Sequence, residues 1–214
     1  MKVAIFQFKL FGINTYVVYD PATLSCAIID PGMMDSEEEE AMKGFIDKNN
    51  LKVTNIINTH LHLDHAVGNS FLKKEYEVPV LAHKDDAPLG ERLRQQALMF
   101  GMNMDVDDVK VDRYLVDGET IKIGDGQLKV ICVPGHSLGS IALYDAADHF
   151  VIVGDALFKG SIGRTDLPGG NYRQLIGSIK DRLLTLPGDT VVYPGHGEPT
   201  TISDEKRLNP FLNN

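Results

Sequence analysis

A chain of 214 residues, 43% hydrophobic and 24% charged, carries enough apolar material to bury a core of its own and has the composition of a soluble globular protein. Its formal net charge of −9, with no Lys/Arg-rich run, repels phosphate backbones, so nucleic acid is not expected as a partner. The longest apolar runs, such as IALY (141–144) and FVIVG (150–154), are strand-sized and fall well short of the ~18 residues of a membrane span, so no membrane association is expected.

The N-terminal MKVAIFQFKLFG alternates like a strand and has no small-residue cleavage site, so it reads as a first strand and not as a signal peptide; a cytoplasmic location is expected. VAIFQF (3–8), NTYVVYD (14–20) and SCAIID (25–30) predict a β-meander, with turn chemistry from DPA (20–22) and DPG (30–32). Ser36 is then expected to cap a helix running to about residue 49. Glu37–Glu40 would fill its first turn as a solvated face that complements the helix dipole. VTNIIN (53–58) predicts a short buried strand, residues 66–77 a helix, VPVLAH (78–83) a strand, and 86–100 a further helix. From 111 onward the pattern is β again through RYLVD, ETIKIG, QLKVICV, SIALYD and HFVIVGD. A helix at about 171–185, the strand DTVVYPGH and helical turns near 203–209 complete the chain. Two halves of the same style predict two sheets packed face to face with helices outside both: an α/β four-layer sandwich, forming one domain over 1–214. Cys26 and Cys132 lie far apart and outside any CxxC, and read as two buried free thiols.

The densest chemistry is THLHLDH (59–65). His60, His62, Asp64 and His65 place four metal-ligand residue types within six positions, directly after a buried strand. If 60–64 runs extended, His60, His62 and Asp64 point to one side and the leucines to the other, with His65 at the mouth of the next helix. One loop could then feed two neighbouring ions. Three more strands follow the same plan: KVICVPG is followed by His136, HFVIVG by Asp155 and DTVVYPG by His196. Gly135, Gly154 and Gly195 directly precede these residues, which suits sharp turns and close backbone approach. The strand ends are expected to converge on one edge of the sandwich.

THLHLDH resembles the THxHxDH signature of the metallo-β-lactamase superfamily. PGHSLGS (134–140), GDALF (154–158) and YPGHG (193–197) stand in the positions and order of its downstream motifs. The resemblance spans nearly the whole chain and implies an αββα sandwich with two metal sites. His60, His62 and His136 would bind the first ion, Asp64, His65 and His196 the second, and Asp155 would bridge them. Two divalent ions are implied, zinc foremost, with iron or manganese as alternatives. Zinc β-lactamases generally lack the bridging Asp, whereas FKGSIGRTDLPGG (158–170) and YPGHGEPTTISDEKRLNPFL (193–212) resemble the short bacterial glyoxalase II-like branch. The implied activity is hydrolysis of a small acyl thioester, S-lactoylglutathione or a related compound, by a hydroxide formed from water shared between two cations. Asp64 would be a ligand that also orients the hydroxide and shuttles its proton.

An oxidative alternative shares the fold. Persulfide dioxygenases are similar to this chain at GRTD (163–166) and at the NPFL-like tail, and hold a single iron with residues matching His60, His136 and Asp155. They resemble YPAHD where this chain has YPGHGEP, which favours the hydrolase. A non-catalytic metal-binding domain is a third reading.

Other residues carry lesser expectations. Arg164 reads either as a rim residue that binds a substrate carboxylate or as the partner of Asp166, and Lys159 could reach an anionic substrate. His83 is expected in a loop or helix cap, and His149 on the surface. Met99, Phe100, Met102 and Met104 are expected to pack in the core or to cover the site. Ser137 and Ser140 follow His136 where either hydroxyl could orient a ligand. The expected partner is a small-molecule substrate; the sequence carries no signal for the oligomeric state.

Overall fold

In the computed structural model, which describes residues 1–213, two six-stranded sheets pack face to face. The first runs in chain order: β1 (Lys2–Gln7), β2 (Asn14–Tyr19), β3 (Ser25–Ile29), β4 (Lys52–Ile57), β5 (Val80–His83) and β6 (Arg113–Leu115). β1 to β3 are antiparallel. β3 to β6 are parallel, and the crossovers this requires carry α1 (Ser36–Lys48), α2 (Leu63–Ala66), α3 (Asn69–Tyr76), α4 (Ala87–Gly90) and α5 (Leu93–Met99). The second sheet contains β7 (Thr120–Ile123), β8 (Gly126–Cys132), β9 (Ile141–Asp145), β10 (Phe150–Gly154), β13 (Val191–Pro194) and β14 (Thr200–Thr201), in the order β14-β13-β10-β9-β8-β7. A small hairpin, β11 (Leu157–Phe158) and β12 (Ser161–Ile162), lies apart; α6 (Tyr172–Ser178) and α7 (Ile202–Leu208) cover the second sheet.

Strand alternation builds three apolar layers. In β2 and β3, Tyr16, Val18, Ala27 and Ile29 face the other sheet, where Leu128, Val130 and Ile152 meet them. Val17, Cys26 and Ile28 point the opposite way, onto Met42 and Ile46 of α1 and Leu72 of α3. Across the second sheet, Val151, Val153 and Val192 pack on Leu175, Ile179 and Ile202. Strands covered on both faces need apolar residues at every position, which is why SCAII and FVIVG read as unbroken apolar runs. Each fully buried aliphatic contributes roughly 1.5–3 kcal/mol.

Asp20 ties the two sheets together at one end. From the β2–β3 turn its carboxylate accepts the backbone N–H of Asp125 (2.9 Å), in the β7–β8 hairpin, as well as the N–H of Ala22 (3.0 Å) and the hydroxyl of Thr23 (2.8 Å). Gly124 (φ +59°) permits the approach, since a Cβ there would fall 2.0 Å from Thr23 Oγ1. The Asp125 N–H, then the Ala22 N–H and the Thr23 hydroxyl, hold the Asp20 carboxyl down at about 2. Its folded value lies below the ordinary one, so the stabilisation is full above about pH 4 and is lost as pH falls through about 2. Asp20→Ala is expected to melt below the wild type at pH 7, and melts at a series of pH values should show the gap closing between about pH 4 and pH 2; a gap that widens on acidification would contradict this role.

Several local expectations need correction. Asp35, not Ser36, caps α1: it is extended (φ −139°) and accepts the N–H of Glu38 at 3.0 Å. The glutamate run is not wholly a solvated face, because Glu38 is buried and accepts the backbone N–H groups of Lys9 (2.7 Å) and Met34 (3.0 Å). The helix expected over 66–77 is α3, which starts only at Asn69; α2 has already ended at Ala66, and between them lies Gly68, where a Cβ would strike Met33 Sδ at 2.1 Å. The one expected over 86–100 is a 3₁₀ turn (Lys84–Asp86) followed by α4 and α5, which part after Gly90 as it packs against Leu61. The helix expected to 185 widens into a π turn at Ile179–Leu183. β6 pairs with β5, so the second meander begins at β7. Both cysteines are free thiols, but only Cys26 is buried; Cys132 is half-buried. Among the described residues, no helix is long and apolar enough to cross a membrane.

Candidate metal centre

β4 delivers the chain to His60, and the backbone stays extended only as far as His62 (φ −69°, ψ 156°). α2 then begins at Leu63. Asp64 and His65 are therefore successive residues of a helical turn, about 100° apart. That turn, and not the alternation of an extended loop, divides the cluster. Leu61 and Leu63 are fully buried and anchor it. Gln96 of α5 clamps the backbone on both sides of His62: its Oε1 accepts Leu63 N–H (3.0 Å), while Nε2 donates to Leu61 O (3.1 Å) and Leu89 O (2.9 Å). The buried Asp86 accepts Leu61 N–H (3.1 Å), the Ser137 hydroxyl (2.8 Å) and Gly139 N–H (2.6 Å), which ties this loop to the one bearing His136. Burial raises the Asp86 carboxyl, and these donors pull against it.

The structure brings all seven histidine and aspartate side chains singled out in the sequence to one edge of the sandwich. In the first group, His136 Nε2 lies 2.9 Å from His62 Nδ1 and 3.2 Å from His60 Nε2. In the second, Asp64 Oδ2 lies 3.0 Å from His196 Nε2 and 3.7 Å from His65 Nε2. Asp155 sits between them: Oδ1 is 3.3 Å from His65 Nε2, and Oδ2 is 3.6 Å from His196 Nε2 and 3.7 Å from His136 Nε2. Within each group the candidate ligand atoms all lie within 4.8 Å of one another, so each could hold a metal ion.

The polar partners behind the ring fit that use. His136 Nδ1 faces Arg164 O (2.7 Å), His65 Nδ1 faces Asp30 Oδ2 (3.0 Å) and His196 Nδ1 faces Phe11 O (3.2 Å). His60 Nδ1 faces Thr59 Oγ1 (3.2 Å), whose hydroxyl is already donated to Asp30 (2.6 Å). Each partner is an acceptor, so neutral rings carry their proton on Nδ1 and aim the Nε2 lone pair at the cluster. His60 and His136 then point two lone pairs at each other, and His65 Nε2 and Asp155 Oδ1 are buried without a hydrogen-bond partner. A cation in each group resolves both conflicts, and imidazole with carboxylate suits divalent zinc, iron or manganese.

The electrostatics agree. Burial, then the neighbouring imidazoles, lowers His60 well below its usual value and takes His62 to about 3, so both offer neutral ligand nitrogens. Burial opposes charge on His65 and His196, but the Asp155 and Asp64 carboxylates outweigh it and raise both. Burial likewise opposes ionisation of Asp155, and the surrounding histidines overcome it to hold the carboxyl far below the usual range. The centre demands positive charge.

Gly195 matters by lacking a side chain: a Cβ there would lie 2.2 Å from Asp155 Oδ1 and 2.6 Å from His65 Cε1. Gly195→Ala is expected to weaken metal retention about tenfold or more while far-UV circular dichroism stays unchanged, because the damage falls on two candidate ligands.

The centre floors a cavity of 450 Å³ whose walls include Phe11, Phe100, Phe158 and Leu167. Phe11 and Phe100 meet edge to face, with centroids 5.4 Å apart. The cations expected to read the substrate are already engaged. Arg164 lines the cavity but forms a two-pronged pair with Asp166 (2.7 and 2.8 Å), and Lys159 bonds Glu198 (2.6 Å). The intervening Thr165 gives Arg164 and Asp166 the spacing to pair, so the structural reading of Arg164 holds. Met99 and Phe100 are exposed near the cavity, whereas Met102 and Met104 pack on the helix-side core. His83 caps the 3₁₀ turn, and His149 faces solvent beside Asp189 (2.9 Å). Ser137 and Ser140 bond each other (2.7 Å), and Ser137 bonds Asp86, so they brace the loop that carries His136.

Sequence reasoning missed Asp30, Asp86 and Gln96. Asp30 had a signal: it ends β3 as the candidate ligands end their strands, but DPG was read only as a turn.

The sequence profile of the metallo-beta-lactamase superfamily matches residues 9–196. The chain belongs to that superfamily. It is 36% identical over 215 residues to hydroxyacylglutathione hydrolase GloC of Haemophilus influenzae, covering 100% of this chain and 99% of that one. Among solved structures it is similar to the BLEG-1 B3 metallo-beta-lactamase (TM-score 0.90, 31% identity, 100% of each chain). It is also similar to TTHA1623 in a di-iron-bound form (TM-score 0.87, 36% identity, 98% of this chain and 100% of that one).

Proposed function

We propose that this protein is a metal-dependent hydrolase of small acyl thioesters, of the glyoxalase II type. The observation that carries the reading is the pair of three-residue groups joined through Asp155 on the floor of an apolar-walled cavity. The end-to-end likeness to a relative named as a hydroxyacylglutathione hydrolase supports the substrate class.

His60, His62 and His136 would hold one ion, Asp64, His65 and His196 a second, with Asp155 reaching both. When bound, such a pair supplies Lewis acidity that brings the pKa of water toward neutrality and polarises an acyl carbonyl. The chain supplies the rest. Asp64 lines the cavity with one oxygen on His196, and its carboxylate is held ionised: burial opposes this, and His65 and His196 outweigh it. Its remaining acceptor capacity can orient the attacking water and take its proton. The apolar walls hold the carbon chain of the substrate and thin the water around the reacting carbon. A thiol departs as its anion with little protonation, which suits a cavity whose one lining cation among the described residues, Arg164, is tied to a carboxylate.

Thiol release from S-lactoylglutathione and simpler acyl thioesters tests the reading. The expected result is turnover on the order of 10⁴ M⁻¹s⁻¹ or above without oxygen uptake. Oxygen consumption on glutathione persulfide without thioester cleavage would replace it with the dioxygenase reading. Preferential opening of a β-lactam would replace the thioester as substrate, and inertness on the whole panel would leave a metal-binding domain.

A further inference from the structure

A second cavity of 160 Å³ adjoins the catalytic one and shares His62, Phe100 and Leu167 with it. Met99 adds apolar wall, and the polar groups are Arg92, Gln95 and Gln96 of the α5 segment. Gln96 is spent on the backbone around His62. The side chains of Arg92 and Gln95 have no hydrogen-bond or ion-pair partner among the described residues.

That freedom sets Arg92 apart from the two cations that the sequence singled out. The two cations that could have met a negatively charged substrate, Arg164 and Lys159, are both committed to carboxylates. In a chain with 30 acidic residues against 21 basic ones, an uncommitted guanidinium in the wall of a side pocket open to the reaction centre is a local exception to the prevailing field. A guanidinium binds a carboxylate through two parallel hydrogen bonds, and a neighbouring amide such as Gln95 can add a donor. The apolar surfaces of Met99, Phe100 and Leu167 suit the carbon chain between that carboxylate and the reacting carbonyl. His62 lines both cavities, so an arm leaving the metal centre past His62 enters the side pocket directly.

We propose that this side pocket is a subsite for a carboxylate-terminated arm of the substrate, read by Arg92, so that the enzyme prefers thioesters carrying a negative charge a short chain away from the scissile bond. The proposal rests on the thioester hydrolase reading for its substrate, while the pocket can be probed without turnover. Two matched pairs of thioesters separate the sources of the carboxylate. One pair has glutaryl or its monoamide on a neutral thiol; the other has acetyl on 4-mercaptobutyrate or on its amide. In the wild type, kcat/KM for acid over amide is expected to be about tenfold in one pair, which identifies the half of the substrate that enters the pocket. Arg92→Gln should bring that ratio close to one at unchanged metal content, Arg92→Lys should recover part of it, and Arg94→Gln, which alters charge outside the pocket, should leave it at the wild-type value. Ratios near one in both wild-type pairs, or a ratio that survives Arg92→Gln, overturn the proposal. Calorimetric binding of 4-mercaptobutyrate and glutarate against their amides gives a separate reading. If no thioester is turned over, the hydrolase reading fails, yet an acid preference in binding that vanishes in Arg92→Gln still supports the pocket, and equal binding of acid and amide overturns it.

Discussion

Asp155→Asn is expected to lower thioester turnover by about 10³-fold or more and to leave the protein holding at most one ion per chain. The carboxylate lies 3.3 Å from His65, 3.6 Å from His196 and 3.7 Å from His136, so it reaches histidines of both candidate sites. The amide keeps the shape and removes the charge on which those histidines converge. A cation that polarises the reacting groups is worth several kcal/mol, and each 1.36 kcal/mol is tenfold in rate, which gives the magnitude. Metal content per chain and kcat/KM, measured on the same preparation, check the prediction. Two ions with near-normal turnover would show that Asp155 is dispensable and that the centres do not depend on a shared carboxylate.

Asp30→Ala is expected to cost about 3–5 kcal/mol of stability and to weaken metal binding about 10–100-fold. Asp30 is fully buried and accepts the N–H of Thr59 (2.7 Å), its hydroxyl (2.6 Å) and the Nδ1 proton of His65 (3.0 Å). Alanine leaves all three donors unsatisfied inside the protein and also inherits a φ of +51°, a region that Asp tolerates better than Ala. With its anchor gone, the His65 ring can turn and Nε2 no longer points at the second group. Melting in the presence of chelator isolates the loss of stability from the loss of metal, and competition with a chromophoric chelator reads the affinity. An unchanged melting temperature in chelator would mean that the three bonds contribute little.

The contrast between Asp155 and Asp30 marks how far the sequence could be read. A strand buried on both faces writes a continuous apolar run, as FVIVG does before Asp155; the strands before His136 and His196 alternate in burial, but each also leads through a glycine to its candidate ligand. The sandwich was legible for the same reason. The supports were not, because their partners lie 25 to 53 positions away: Asp86 holds Leu61 and Gly139, and Gln96 holds Leu63 at a separation of 33. Nothing local in HLDH announces that a helix starts at Leu63, so the sequence predicts an extended loop where a helical turn divides the cluster. Gly68 leaves no room for a side chain because Met33 packs against it, which is again a tertiary fact. Arg164 shows the converse: its pairing with Asp166 is only two residues away, and the sequence allowed it as readily as a substrate contact.

The proposed hydrolase works with two ions. Its most direct test is titration of chelator-treated protein with zinc, and anaerobically with ferrous iron, while thioester cleavage and oxygen uptake are followed against equivalents added. Cleavage is expected to rise to a plateau at two equivalents per chain, with no oxygen consumed. Full activity at a single equivalent of iron, with oxygen uptake on a persulfide and no thioester cleavage, would contradict it.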